Sequence, residues 1–270
     1  MNLKRIIKNA ATLMHAKRVI PIQHVVDESK VLDGKAAIVI GGTGGVGRAI
    51  ARSLKESGCK VIVCGTNEAK LCLIAEEGDY KPQRFNVQDS VSMEANVEKA
   101  VKIFGRIDIV VYSAGVHTEK ADFFCMDSEE YDRVMAINLK GAYFCCQAFG
   151  KYMVQNKVRG HILLVSSSRG SEPAYSPYGI SKWGMNGMTK GLAQLLLPYG
   201  ISVNAIAPGS TATELLGVKD GDSIYADDNV VHRLTTSDEV ASVAKMLVCS
   251  DMICGEIVHI SAGRGTFDIR

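Results

Sequence analysis

The sequence predicts an α/β fold: a single doubly wound parallel sheet with helices on both faces, plus an N-terminal helical extension. Apolar runs alternate with helical stretches from Lys35 onward, and a glycine-rich turn follows the first apolar run. The 270 residues are 47% hydrophobic and 22% charged, which is typical of a folded globular chain. The net charge of +2 argues against nucleic-acid binding by bulk electrostatics. No apolar run reaches the roughly 20 residues of an integral membrane segment.

The N-terminal 33 residues differ from the remainder of the chain. No acidic residue precedes Asp27, and the apolar residues recur at helical spacing, which predicts a basic amphipathic helix ended by Pro21. Such a helix could lie on an anionic membrane, dock on a partner, or act as a transit peptide. We favour a helix packed on the body, because nothing marks a cleavage site. We therefore divide the chain into an extension, 1–33, and a single α/β domain, 34–270, with 27–34 as linker.

The remaining elements follow in order along the chain. The apolar runs predict buried strands at 36–40, 61–64, 107–112, 162–165, 201–206 and 257–260. Helices are predicted at 45–57, 68–76, 90–104, 131–153, 176–197 and 237–249. This alternation predicts right-handed βαβ units, whose ligand lies beyond the carboxyl ends of the strands.

A glycine-rich turn joins the first strand to the first helix. Its sequence is Gly41-Gly42-Thr43-Gly44-Gly45-Val46-Gly47. Residues without side chains let the backbone approach a pyrophosphate, and the N–H groups of the first helical turn point at it. Because the turn stands between a strand and a helix, we favour nucleotide binding over a merely tight turn.

Tyr178 and Lys182 are four residues apart and lie on one face of a predicted helix. A free tyrosine has a pKa of about 10, and an adjacent cation stabilises its phenolate. Such a tyrosine can take a proton from an alcohol or return one to a carbonyl while hydride moves.

The spacing of Gly41, Gly45 and Gly47, together with the tyrosine and lysine, resembles that of the classical short-chain dehydrogenase/reductase (SDR) family. The resemblance extends from residue 35 to 263 and implies a Rossmann-type nucleotide-binding fold. Further motifs in the same order are Tyr112-Ser113-Ala114-Gly115, a serine cluster at 166–168, and Val203-Asn204-Ala205-Ile206-Ala207-Pro208-Gly209.

The resemblance implies a set of site residues. Tyr178 is the acid/base, Lys182 adjusts it and binds the nicotinamide ribose, and Asn138 supports a proton relay. Ser167 polarises the substrate oxygen, with Ser166 as the alternative. Asn138 could instead be a helix-kink residue bonded to backbone. The implied cofactor-binding residues are Gly41, Thr43, Gly44, Gly45, Val46, Gly47, Thr66, Asn67, Asn86, Val87, Ser113, Ala114, Gly115, Tyr178, Lys182, Pro208, Gly209, Thr211 and Thr213.

The end of the second strand bears on the choice of cofactor. NAD selection usually needs a carboxylate here, and Gly65 stands in its place. Thr66 and Asn67 could meet a 2′-phosphate, with Arg48 or Lys70 supplying charge. We therefore expect NADP(H), with NAD as the alternative.

The expected activity is hydride transfer between NADP(H) and a ketone or secondary alcohol of a small-molecule substrate. The motifs are similar to those of 3-oxoacyl-acyl-carrier-protein reductases and of sugar and hydroxysteroid dehydrogenases. A carrier-protein reductase is the runner-up, because the acidic stretch at 210–233, which should cover the substrate, would repel an acidic carrier. A non-catalytic nucleotide-binding protein would predict a broken tyrosine–lysine pair. The resemblance also implies a homodimer or homotetramer formed through the helices of Asn138 and Tyr178.

Eight cysteines lack both a CxxC pair and a histidine at zinc spacing. This pattern predicts reduced, mostly buried thiols in a cytoplasmic protein, and no metal site.

Overall fold

A computed structural model describes residues 30–119, 121–219, 221–227 and 229–264. Its seven strands are β1 Ala36–Ile40, β2 Lys60–Gly65, β3 Lys81–Arg84, β4 Ile109–Tyr112, β5 Gly160–Val165, β6 Ile201–Pro208 and β7 Ile257–Ile260. They form one sheet in the order β3-β2-β1-β4-β5-β6-β7, and every neighbouring pair is parallel. The predicted doubly wound Rossmann-type sheet is confirmed.

The helices follow the strands along the chain. They are α1 Gly45–Glu56, α2 Glu68–Gly78, α3 Met93–Phe104, α4 Ser128–Met135, α5 Gly141–Gln155, α6 Pro177–Leu196 and α7 Ser237–Val248. A π-helical turn at Ala136–Lys140 joins α4 to α5. The single helix predicted over 131–153 is therefore interrupted. Within the described residues, no helix combines the length and apolar character needed to cross a bilayer.

Two apolar cores lie on opposite faces of the sheet. In β1 all five residues are buried, and they alternate between the cores: Ile38 and Ile40 enter the first, whereas Ala37 and Val39 enter the second. The first core is covered by α3, α5 and α6, and the second by α1, α2 and α7. A parallel sheet covered on both faces needs such continuously apolar strands, which is why the sequence showed them as runs.

The prediction missed strand β3. Its sequence is polar and contains Pro82, and only Gln83 is buried. This strand lies at the edge of the sheet and pairs only with β2, so a residue without an N–H and mostly exposed side chains are tolerated there.

The predicted N-terminal helix lies outside the described residues. The described end of the predicted linker is a turn packed on the body: Leu32 is 3% exposed within the second core, and its N–H donates to the Ser57 carbonyl at 2.8 Å. The described residues of the predicted linker, 30–34, are therefore packed against the domain.

All eight cysteines lie within the described residues, and none of them forms a disulfide. Only four of them are buried, namely Cys59, Cys64, Cys145 and Cys146. Cys72, Cys125 and Cys249 are exposed and Cys254 is intermediate, so the prediction of mostly buried thiols is wrong for half of them.

Candidate active site

The glycine-rich turn lies where the sheet order reverses, between β1 and β4. Gly41 has a φ of 80°, and a Cβ there would lie 2.5 Å from the Ala114 nitrogen at the end of β4. A Cβ on Gly47 would lie 2.3 Å from the Gly41 carbonyl oxygen. Only glycine permits these approaches, which bring α1, the turn and β4 together.

The N-terminus of α1 is free of competing groups. Its N-cap is Gly44, which has no side chain to accept from the first-turn N–H groups, and the first turn contains no acidic residue. These N–H groups and the positive end of the helix dipole face the cleft and suit a pyrophosphate.

A cleft of about 840 Å³ runs along the carboxyl ends of the central strands. The predicted cofactor-binding residues that line it are Gly41, Thr43, Gly44, Gly45, Val46, Gly47, Thr66, Asn86, Val87, Ser113, Ala114, Gly115, Tyr178, Lys182, Pro208, Gly209, Thr211 and Thr213. The length of this lining and the donors at α1 fit a dinucleotide. Asn67 is not among the lining residues: its Oδ1 caps α2 by accepting from the Lys70 N–H at 3.0 Å.

Tyr178 and Lys182 lie in the first two turns of α6, which begins with the N-cap Ser176 and Pro177. The Lys182 Nζ lies 5.6 Å from the centroid of the Tyr178 ring and donates to the Val165 carbonyl at 2.9 Å. Lys182 is only 4% exposed, and this burial lowers its pKa from 10.5 to about 8. The ammonium therefore lies beneath the phenol, held by the end of β5.

Burial raises the pKa of Tyr178, while its hydrogen bond with Ser167 and the charge of Arg169 lower it. The sequence predicted that Lys182 would lower this pKa. In the structure the lowering comes from Ser167 and Arg169 in the turn after β5, and burial outweighs it.

The two candidate serines point in different directions. The Ser166 hydroxyl donates to Asn186 Oδ1 at 2.6 Å, so it is used within the packing of α6. Ser167 lines the cleft and lowers the pKa of Tyr178 through a side-chain hydrogen bond, and its Oγ accepts from the Arg169 N–H at 3.3 Å. The geometry favours Ser167 as the residue that faces a substrate oxygen.

Asn138 occupies the π-helical turn and is fully buried. Its Oδ1 accepts from the Val116 N–H at 2.9 Å, and its Nδ2 donates to the Val116 carbonyl at 3.0 Å and to Ser181 Oγ at 3.1 Å. These bonds match the alternative of a helix-kink residue bonded to backbone. Asn138 does not line the cleft, but a Cβ on Gly115 would lie 3.5 Å from its Oδ1 and 3.6 Å from the Lys182 Nζ.

The turn is supported by Tyr112, which replaces the asparagine of the family motif. Its ring is fully buried, and its hydroxyl donates to the Ile137 carbonyl at 2.5 Å. Tyr112 therefore supports the π-helical turn from within the core, next to Asn138.

His117 follows β4 and lines the cleft. Its ring stacks on the Tyr178 ring with centroids 4.3 Å apart, and the adjacent Thr118 Oγ1 accepts from the Tyr178 N–H at 3.1 Å. Burial, and then the charge of Lys182, lowers the pKa of His117. No spacing in the sequence links residue 117 to residue 178, so this contact could not be read from it.

The two cations expected to meet a 2′-phosphate already have carboxylate partners. Arg48 forms an ion pair with Glu77, and the Lys70 Nζ lies 2.7 Å from Glu214 Oε2. A phosphate at this end of the cleft would compete with these carboxylates.

The stretch expected to cover the substrate lies over the cleft at Glu214, Leu215 and Leu216. Its contact with the glycine turn is close, since a Cβ on Gly45 would lie 2.9 Å from Thr213 Cγ2. Asp220 and Asp228, two of its acidic residues, lie outside the described residues.

The parallel sheet, the glycine turn and the tyrosine–lysine pair above one cleft define a nicotinamide-dependent oxidoreductase. The family model of the short chain dehydrogenases matches residues 35–222. The chain belongs to this family, whose enzymes act on CH–OH and C=O groups.

Relatives and solved structures agree on the family. The chain is 31% identical over 245 residues to "3-oxoacyl-(acyl-carrier-protein) reductase FabG" of Aquifex aeolicus, covering 86% of this chain and 98% of that protein. It is 31% identical to "L-rhamnose 1-dehydrogenase (NADP(+))" of Thermoplasma acidophilum, covering 81% and 90%. The solved structure "ElxO with NADP Bound" superposes with a TM-score of 0.78 at 26% identity, covering 85% and 98%.

Proposed function

We propose that this chain transfers hydride between NADP(H) and the carbonyl or secondary-alcohol carbon of a small molecule, using Ser167, Tyr178, Lys182 and Asn138. The observation that carries the proposal is the position of Ser167, Tyr178 and Lys182 along the cleft that begins at the glycine turn, with the Lys182 Nζ 5.6 Å from the centroid of the Tyr178 ring. Two hydroxyls that line one cleft provide one donor to orient a carbonyl oxygen and one group to exchange its proton.

The proton transfer uses the side chains of Tyr178 and Ser167. In the reductive direction, Tyr178 gives its phenolic proton to the substrate oxygen as the carbonyl carbon gains a hydride. A bound nicotinamide supplies that hydride, or accepts it in the reverse direction. Ser167 donates a hydrogen bond to the same oxygen and so stabilises the negative charge that develops on it.

Lys182 acts on this step through its charge. An ammonium 5.6 Å from the ring stabilises the phenolate that Tyr178 becomes, and the bond to the Val165 carbonyl holds it in place. Asn138 orients the loop after β4 through both of its bonds to Val116. We propose that it supports proton exchange from this position, next to Lys182.

Replacing Tyr178 with phenylalanine tests the proposal. Removing an acid/base typically costs a factor of about 100 to 10,000 in rate. We therefore expect Tyr178→Phe to retain NADPH binding and lose activity by about that factor, as followed by NADPH absorbance with a panel of ketones and acyl thioesters. Tyr199→Phe, at an exposed tyrosine in the turn before β6, is the matched control. Equal rates for Tyr178→Phe and the unmodified protein on an accepted substrate would overturn the assignment.

A preference for NADP(H) over NAD(H) is part of the proposal. Gly65 offers no carboxylate to a ribose hydroxyl, and a Cβ there would lie 2.8 Å from Thr43 Oγ1, which leaves little room for one. The names of two similar proteins also mention NADP. Titration with both reduced cofactors measures the preference directly, and tighter binding of NADH would contradict it.

The second candidate is a 3-oxoacyl-acyl-carrier-protein reductase. The similarity to the Aquifex aeolicus reductase over 98% of its length favours it. In addition, one acid of the covering stretch, Glu214, is neutralised by Lys70, which weakens the expected repulsion of an acidic carrier. Faster reduction of an acyl group on its carrier than of the free thioester would select this candidate.

Three broader proposals accompany the activity. We propose a homodimer or homotetramer, a cytoplasmic location, and the division of the chain into an extension, 1–33, and a domain, 34–270. Light scattering of the purified protein tests the first of these. Liposome sedimentation with and without residues 1–20 tests whether the extension binds membranes.

A further inference from the structure

A cluster of three charged side chains borders the substrate end of the cleft. The Arg169 Nη1 lies 3.0 Å from Glu172 Oε2, and the Arg264 Nε lies 3.4 Å from Glu172 Oε1. The Arg264 Nη1 also donates to Ser210 Oγ at 2.6 Å. One carboxylate thus holds two guanidinium groups that come from distant parts of the chain.

The charges of this cluster are not distributed evenly. Both arginines line the cleft, whereas Glu172 does not, and the Glu172 side chain is only 12% exposed. The acid therefore lies behind the two bases. With two guanidiniums against one carboxylate, the cluster presents an excess positive charge to the cleft.

The other charged residues of the described lining do not offset this charge. The only carboxylate among them is Glu214, and it is held by Lys70 from α2, toward the Gly65 end. Lys182 is also a cation, bonded to the Val165 carbonyl. A negative group in the substrate would therefore meet no opposing carboxylate near the cluster.

Arg169 is also close to the reacting groups. It lies two residues after Ser167, in the short helical turn Ser168–Gly170, and its N–H donates to Ser167 Oγ at 3.3 Å. Its charge lowers the pKa of Tyr178, and Arg169, Ser167 and Tyr178 all line the same cleft. A substrate whose carbonyl contacts Ser167 and Tyr178 therefore lies in the cleft that Arg169 lines.

We propose that Arg169, paired with Glu172, binds a carboxylate of the substrate, and that the enzyme therefore prefers oxo acids and hydroxy acids. A guanidinium is planar and carries five donors in a fork that matches a carboxylate, and Arg169 lines the cleft while its Nη1 lies 3.0 Å from Glu172 Oε2. The inference deepens the proposed function and rests on it for the position of the carbonyl.

The test compares oxo acids with their methyl esters, which keep the carbonyl and remove the charge. Pyruvate, acetoacetate and levulinate vary the spacing between carbonyl and carboxylate. A charge-assisted bidentate contact is worth roughly a factor of 30, so we expect the best acid to exceed its ester by about that ratio in kcat/KM. In Arg169→Leu the ratio should fall to about 1, because the acid loses its partner and the ester loses nothing specific.

Arg169→Lys and Arg159→Leu are the companion variants. Lysine keeps the charge without the fork, so its acid-to-ester ratio should lie between those of the native protein and the leucine variant. Arg159 is exposed and directly precedes β5, so it lies at the amino ends of the strands, away from the cleft. Its replacement should leave the acid-to-ester ratio unchanged. An acid-to-ester ratio near 1 in the native protein, or an unchanged ratio in Arg169→Leu, would overturn the inference.

A binding measurement separates this inference from the proposed function. Each acid and ester is titrated into the complex of the protein with NADPH, and the change in cofactor fluorescence is recorded. Tighter binding of the acids, lost in Arg169→Leu, supports the anion site even if no compound is reduced. In that event the hydride-transfer proposal fails for this panel while the site stands. Equal binding of acids and esters rejects the site.

Discussion

Gly47→Ala probes the packing of the glycine turn, on which the cleft depends. The added Cβ would lie 2.3 Å from the Gly41 carbonyl oxygen, which is 0.7 Å closer than real Cβ atoms approach such a neighbour. The obstacle is backbone, so no side-chain rotation can relieve the overlap. Either α1 or the turn must move.

The magnitude of the effect follows from two opposing contributions. Overpacking costs about 1–3 kcal/mol, and a backbone obstacle places this case toward the upper end. Alanine in a helix recovers at most about 1 kcal/mol relative to glycine. The free energy of unfolding should therefore fall by about 2 kcal/mol, and NADPH affinity should fall about tenfold or more as the first-turn N–H groups shift.

Urea unfolding and NADPH titration measure the two effects. Gly44→Ala is the matched control from the same turn, since its Cβ would lie 3.6 Å from the nearest neighbour, at ordinary contact distance, and its φ of −91° suits alanine. An alanine at this N-cap should cost about 1 kcal/mol or less. Equal stability of the Gly47 and Gly44 variants would contradict the close approach of α1 to the turn.

Two further predictions concern the support of the catalytic residues. Tyr112→Phe removes the buried hydroxyl that donates to the Ile137 carbonyl and should lower the free energy of unfolding by about 1–2 kcal/mol. An unchanged urea midpoint would contradict this. The Lys182 pKa of about 8 lies below its unfolded value of 10.5, so between these values the unfolded chain binds more protons and the contribution of Lys182 to stability rises with pH. The free energy of unfolding of the native protein, relative to that of Lys182→Met, should therefore increase between pH 8 and pH 10 by on the order of 2–3 kcal/mol. A difference that does not change with pH would contradict the lowered pKa of Lys182.

The core of the fold was predictable because it depends on local pattern. Strands β1 and β7 have the predicted bounds, and most helices begin and end within a few residues of the predicted positions. The sequence of β3 carries no such pattern, because an edge strand that contains Pro82 buries little. The π-helical turn was also missed, because the apolar periodicity continues through it while the hydrogen-bond register changes.

The residues of the candidate site also fall into those that a local pattern predicted and those that it did not. The glycines and the Tyr178–Lys182 pair were visible because their chemistry needs residues at short, fixed separations. Asn67 was placed wrongly in the cleft, since a residue directly after a strand can equally cap the next helix, as it does here. His117 and Arg264 approach the site from distant segments, and no spacing rule connects them to it.

The order of residues along the chain and the periodicity of apolar side chains were sufficient to predict the βαβ alternation, the glycine-rich turn after β1 and the pairing of Tyr178 with Lys182 on α6. Those features depend on neighbours within one helical turn or one strand. The direction of Ser167 rather than Ser166, the stacking of His117 and the grouping of Arg169, Glu172 and Arg264 were decided only by the tertiary structure. They depend on contacts between residues up to 92 positions apart (Glu172 and Arg264), whose meeting is set by how the helices pack on the sheet.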